Sequence, residues 1–135
     1  MDTCIVIDVL QHREPFWEDS YRVMLTIANR HVEGFLTAKS FTDLYYLTHS
    51  DKETRKILST LLIPLSLLDT AGIDCRRALS TEIRDYEDAV MIETAQRESI
   101  DCIVTRNQKD YAKSSVSVYT PEEFLSLVSF NEDEI

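Results

Sequence analysis

Polar and apolar positions alternate along this chain in a way that predicts helices separated by short buried strands. Ile5 to Gln11 has the apolar density of a buried helix. Pro15 then opens a second helix, from Phe16 to about Asn29, in which Tyr21, Met24, Leu25 and Ala28 recur at helical spacing. Glu33-Gly34 turns the chain into a strand over Phe35 to Ala38. Ser40 begins a helix to about Thr48, and Asp51 begins another that Pro64 ends. Leu65 to Leu68 reads as a strand, followed by helices around Asp74 to Ser80 and from Tyr86 to about Glu98. Ile100 to Thr105 and Val116 to Tyr119 are the remaining strands. Thr120-Pro121-Glu122-Glu123 has the cap, first-turn proline and capping-box glutamate of a last helix, to about Ser129. Strands separated by helices imply a parallel sheet covered on both faces, with sites where strands end and helices begin.

The chain has 135 residues, enough for one domain with a core of its own, taken as residues 1–130 followed by an acidic tail at 131–135. Only two glycines occur, which argues against glycine-rich phosphate loops and hairpin-rich β architectures. The longest apolar stretch, Leu61 to Leu68, is broken by Pro64 and Ser66 and is too short for a bilayer. With no basic region and apolar run at the start, the expected location is the cytoplasm. Cys4, Cys75 and Cys102 form no CxxC pair, so neither a zinc site nor a disulfide framework is expected. Cys102 reads as a small core residue, and His12, His31 and His49 as surface residues near helix ends.

The net charge of −10, from 24 acids against 14 bases, disfavours passive binding to phosphate. A carboxylate cluster that holds metal ions escapes part of that objection, because the ions bridge it to phosphate.

Four acids sit where strands give way to helices: Asp2 before the first helix, Asp43 and Asp88 near the starts of theirs, and Asp110 after the Ile100 strand. Each alone has a structural explanation that outweighs the functional one. Ser40 with Asp43, and Asp85 with Asp88, read as capping pairs; Asp110 reads as a solvated loop residue and Asp2 as a terminal one. Two details shift the balance. Asp88 shares a stripe with Ile92 and Ala95, and Asp43 shares one with Leu47, so both carboxylates are expected along buried faces. A buried carboxylate needs a cation. With Arg and Lys read as scarce nearby, Mg²⁺ or Mn²⁺ would serve, and metal-assisted phosphodiester hydrolysis is the chemistry that fits.

The segments around these acids resemble the PIN-domain family, and in particular VapC-type toxins. Asp2-Thr3-Cys4-Ile5-Val6-Ile7-Asp8-Val9-Leu10 is similar to the family's opening motif, and Ser40-Phe41-Thr42-Asp43-Leu44-Tyr45-Tyr46-Leu47 to its second acidic helix. Asp85-Tyr86-Glu87-Asp88-Ala89 resembles the third motif, and Ile103-Val104-Thr105-Arg106-Asn107-Gln108-Lys109-Asp110-Tyr111 the fourth. The resemblance implies a three-layer α/β/α fold on a mostly parallel five-stranded sheet. It also implies a ribonuclease using Mg²⁺ or Mn²⁺, with Asp2, Asp43, Asp88 and Asp110 as catalytic and metal-binding acids and Asp85 as an additional one. Thr105 and Asn107 would be supporting polar groups, and Arg106 and Lys109 would contact phosphate. An RNA substrate, an antitoxin protein and a homodimer are the partners it implies.

The chain departs from the family pattern in three places. Only Met1 precedes Asp2 where relatives have a strand, so the first strand reads as truncated. Cys4 replaces the usual Asn, and Asn107 stands where many relatives carry an acid. These departures keep a second reading open, a degenerate PIN scaffold that binds a protein without cutting. A phosphotransfer fold of the receiver or haloacid-dehalogenase kind ranks third, because Asp2-Thr3-Cys4 lacks the D-x-D pair of the latter.

Overall fold

A computed structural model describes residues 1–48 and 51–133, so His49 and the last two residues of the expected tail lie outside the described residues. The order of elements is α1 (Thr3–Leu10), α2 (Trp17–Ala28), β1 (Gly34–Thr37), α3 (Ala38–Leu47), α4 (Lys52–Leu61), β2 (Leu65–Leu68), α5 (Gly72–Ala78), α6 (Tyr86–Arg97), β3 (Cys102–Val104), a 3-10 turn (Gln108–Tyr111), β4 (Ser117–Tyr119) and α7 (Pro121–Asp133). This is the expected α/β class, with helices layered on parallel strands. No helix among the described residues is long and apolar enough to cross a membrane.

The sheet differs from the expected five-stranded one. Four strands are described, and they form two separate parallel ribbons, β1 with β2 and β3 with β4. Only the first two residues of the chain bridge them. The Met1 ammonium donates to the Phe35 carbonyl of β1 at 3.0 Å, and the Asp2 N–H donates to the Val104 carbonyl of β3 at 3.0 Å. Two residues satisfy two carbonyls and extend no further, so the ribbons meet at one end and part at the other.

The main core gathers Ile5, Val6 and Ile7 of α1, Val23 and Ile27 of α2, Leu36 of β1, Leu44, Leu58, Leu65, Val104 and Phe124. A second cluster joins Met91, Ile92 and Ala95 of α6 to Ile103, Tyr111 and Val116. Gly34 is where α2 meets β1 most closely. A Cβ there would lie 2.7 Å from two Ile27 side-chain carbons and 2.8 Å from Leu65 Cδ2, so the position has no room for a methyl group.

Local signals set most boundaries. Asp51 caps α4 by accepting from Thr54 N–H at 2.9 Å. Thr120 and Glu123 form the expected capping box on α7, with reciprocal bonds of 3.1 and 3.2 Å. Three expectations are corrected. First, α3 starts before Ser40: Thr37 is its cap, accepting from Ser40 N–H at 3.1 Å, so Asp43 lies beyond the first turn. Second, α7 runs past Ser129 through Asp133, taking in part of the tail expected to fray. Third, Leu47 is 54% exposed, and the buried positions of α3 are Ser40 and Leu44, so the stripe proposed for Asp43 with Leu47 is not a buried face. Cys102 is half-buried against the core, as expected, and His12 and His31 are exposed.

Candidate metal and nuclease site

The C-terminal ends of β1 and β3 both reach Asp2, and the polar residues that follow each strand converge there. Thr105, wholly buried just after β3, donates its hydroxyl to Asp2 Oδ2 at 2.6 Å and accepts from Asn107 N–H at 3.0 Å. Tyr111, presented by the 3-10 turn, donates to Asp88 Oδ1 at 2.9 Å and stands 3.4 Å from Asp2 Oδ2. Two carboxylates from opposite ends of the chain therefore face one phenol. Burial drives the Tyr111 hydroxyl far above its usual pKa and the nearby Asp2 and Asp88 charges add to that, so it remains a proton donor.

Asp88 is half-buried in the first turn of α6, with its N–H bound to the Asp85 cap at 3.0 Å. Burial pushes its carboxyl up to about 6, and repulsion from Asp85, Asp2 and Asp110 adds to the shift against the Tyr111 hydrogen bond. A carboxyl raised by other carboxylates marks a place where negative charge has been concentrated.

A small cleft at the end of the strands is lined by Asp2, Thr37, Lys39, Asp43, Glu87 and Asp88. Lys39 was missed in the sequence, where cations were read as scarce around these acids. Its ammonium lies 2.6 Å from Asp43 Oδ2 and 3.2 Å from Glu87 Oε1. The i,i+4 spacing of Lys39 and Asp43 was the available signal.

The other expected residues are placed differently. Asp110 is exposed on the 3-10 turn, near enough to raise Asp88 but not joined to it through Tyr111. The exposed Asn107 acts through its backbone N–H, and Lys109 is likewise exposed. Arg106 corrects the expectation that it reaches for phosphate. It binds the fully buried Asp8 through Nε at 2.6 Å and a terminal nitrogen at 3.0 Å, and its guanidinium covers the Phe16 ring at 3.9 Å. Ser20 gives Asp8 a further bond at 3.0 Å. Asp8, flanked by apolar residues in α1, carried the signal of a buried carboxylate, but its partners lie too far along the chain to be read from spacing. Cys4, in place of the usual Asn, lies 3.9 Å from the Thr105 hydroxyl. Burial and the charge of Asp2 push its thiol up to about 11, so it remains protonated.

Among the described residues, no three or more His, Cys, Asp or Glu side chains are arranged to hold a metal ion. The donor set nonetheless fits a hard divalent cation of the Mg²⁺ type, which commonly takes one or two carboxylates and completes its shell with water and phosphate. Asp2 and Asp88 supply those two carboxylates, both oriented by Tyr111.

A family model described as PIN domain matches residues 1–109, a span containing all the acid-bearing strand ends except the exposed face of Asp110. No curated protein and no solved structure matches the chain. The match covers most of the 135 residues, and this chain therefore belongs to the PIN-domain family, whose members are generally nucleases.

Proposed function

We propose that this protein is a metal-dependent ribonuclease that hydrolyses RNA phosphodiester bonds at the cleft between Asp2, Asp43 and Asp88. The observation that carries the reading is the Tyr111 hydroxyl shared by Asp88 and Asp2, next to an Asp88 carboxyl raised to about 6. Asp2 and Asp88 would hold Mg²⁺ or Mn²⁺, with Asp43 and Asp110 at the margins. The bound cation would polarise the scissile phosphate and lower the pKa of an attacking water. Thr105 and Tyr111 fix the two carboxylates, so that little reorganisation is needed when substrate arrives. Tyr111 engages Asp88 Oδ1 and leaves Oδ2 for an ion or a water proton. Lys39 offers a positive charge to the phosphate if it turns from Asp43. As in VapC-type toxins, the proposal includes a cytoplasmic setting, an antitoxin protein that blocks the cleft, and a homodimer.

The test is cleavage of a mixed pool of structured RNAs with Mn²⁺, with EDTA, and with Asp88→Asn. Cleavage that requires the metal and disappears in the variant is the expected result. Cleavage that persists in EDTA or in Asp88→Asn rejects this site.

A second reading, a PIN scaffold that binds a protein without cutting, is favoured by Lys39. Its ammonium already neutralises Asp43 and Glu87, as an ion in the cleft would. Wild-type protein that binds no Mn²⁺ and cuts no RNA decides for the scaffold.

A further inference from the structure

The largest cleft in the molecule, about 600 Å³, is not at the acids but between the two ribbons. Phe35 of β1 lines one wall and Cys102 and Val104 of β3 the other, with Val23 and Ile27 of α2 and Phe124 of α7 among its apolar lining. Both walls present backbone. The Phe35 and Val104 carbonyls point into the gap, where Met1 and Asp2 meet them. Consecutive residues of a strand turn their backbone groups to opposite sides, and Thr105 N–H pairs outward with Tyr119. The backbone groups of Cys102 thus face the gap along with those of Val104. The cleft is a strand-wide space with hydrogen-bonding edges on both sides and an apolar lining.

Charge fixes the direction of an occupant. At the inner end lies the Met1 ammonium, and burial pulls it below its usual pKa, so an anionic group beside it would be favourable. At the open end, by the starts of β1 and β3, stand Glu33, Asp101 and Glu98, the last already paired with Arg97 at 2.6 Å. A chain entering there and ending at Met1 runs parallel to β1 and β3. It brings a C-terminal carboxylate to the ammonium and, if its leading residues are basic, cations to the acids. The reverse direction sets a carboxylate among acids and an ammonium against an ammonium.

We propose that this cleft is a strand-accepting site for the C-terminal tail of a partner protein, an extended apolar segment of about four or five residues preceded by Lys or Arg. The described strands, Gly34–Thr37 and Cys102–Val104, set that length. A second copy of this chain is the poorer occupant, because its own C-terminal stretch, Asn131 to Ile135, carries three acids and no base. The tail would join the two ribbons into one sheet and clamp Met1, and with it Asp2. This inference stands on the geometry of the cleft and is independent of any cleavage activity.

The test uses the synthetic peptide Lys-Lys-Ile-Val-Ile-Val, labelled on its first lysine, and fluorescence anisotropy with the full chain. Saturable binding is expected, weakened roughly tenfold when the peptide C-terminus is amidated and abolished when the central Ile-Val becomes Pro-Pro. Fusing the same six residues ahead of Met1 should fill the cleft and remove binding of the free peptide. Four results overturn the proposal: no binding at millimolar peptide, equal binding of the amidated form, binding undiminished by the fusion, or a dimer in sedimentation equilibrium that the fusion dissolves. The last assigns the cleft to a second copy.

Discussion

The Thr105 hydroxyl donates to Asp2 Oδ2 at 2.6 Å, tying the end of β3 to the start of the chain at the point where the two ribbons meet. Because Thr105 also accepts from Asn107 N–H, one buried hydroxyl fixes both a carboxylate and the turn toward Tyr111. Replacing Thr105 by Val keeps the shape and removes both bonds. The variant should lose about 1–3 kcal/mol of stability in urea unfolding. Its Mn²⁺ affinity should fall by at least about tenfold, the usual effect of losing a group that orients a ligand. Unchanged affinity in calorimetry would show that Asp2 does not need Thr105 to bind an ion.

Arg106 should matter for folding more than for substrate. Its guanidinium neutralises Asp8, which has no exposure to solvent, and removing one partner of such a pair leaves a buried charge unpaired. Arg106→Ala is expected to cost about 3–5 kcal/mol. The double variant Asp8→Asn with Arg106→Met should cost less than the sum of the two single changes. Additive losses in urea unfolding would mean that the pair is not coupled.

Metal-free protein should show the raised Asp88 carboxyl in its stability. Burial, together with Asp85, Asp2 and Asp110, lifts this group to about 6, against roughly 3.9 in an unfolded chain. Between these values the folded state keeps a proton that the unfolded state releases. The stabilising contribution is therefore complete below about pH 4 and is lost as pH rises through about 6. Urea midpoints measured in EDTA across this window should fall less steeply for Asp88→Asn than for wild type. Parallel profiles would contradict the assignment.

Lys39 competes with any divalent cation for Asp43 and Glu87. Lys39→Met should tighten Mn²⁺ binding by roughly tenfold, a modest fraction of the interaction between unit charges at this range. RNA cleavage by the same variant should fall if the ammonium also meets phosphate, which separates the two roles. Weaker Mn²⁺ binding would show that Lys39 organises the acids instead of occupying their place.

Gly34 should tolerate no side chain. An added methyl would meet Ile27 and Leu65 at less than 3 Å, and both are packed in the core. Gly34→Ala is expected to lower stability by about 1–3 kcal/mol in thermal or urea unfolding. A neutral result would mean that α2 shifts away from β1 at little cost.

By itself the sequence determined what is decided locally. The α/β alternation, the strand at Leu65–Leu68, the Asp51 and Asp85 caps and the Thr120–Glu123 capping box all depend on a few neighbouring residues, so spacing and residue type were sufficient. The placing of Asp2 and Asp88 at one end of the strands was legible for the same reason, as chain order alternates strand and helix. Tertiary structure decided which groups those acids meet. Tyr111 reaches Asp88 and Asp2 across 23 and 109 positions, and Arg106 reaches Asp8 across 98. Only the packed chain sets such distances. The start of α3 passed to Thr37 because a hydroxyl one turn earlier reached the Ser40 N–H, a choice between two good caps that residue type leaves open. The parting of the sheet into two ribbons is tertiary as well: strand pairing is closed by backbone groups brought together across the fold, and only Met1 and Asp2 stand between β1 and β3 to close it.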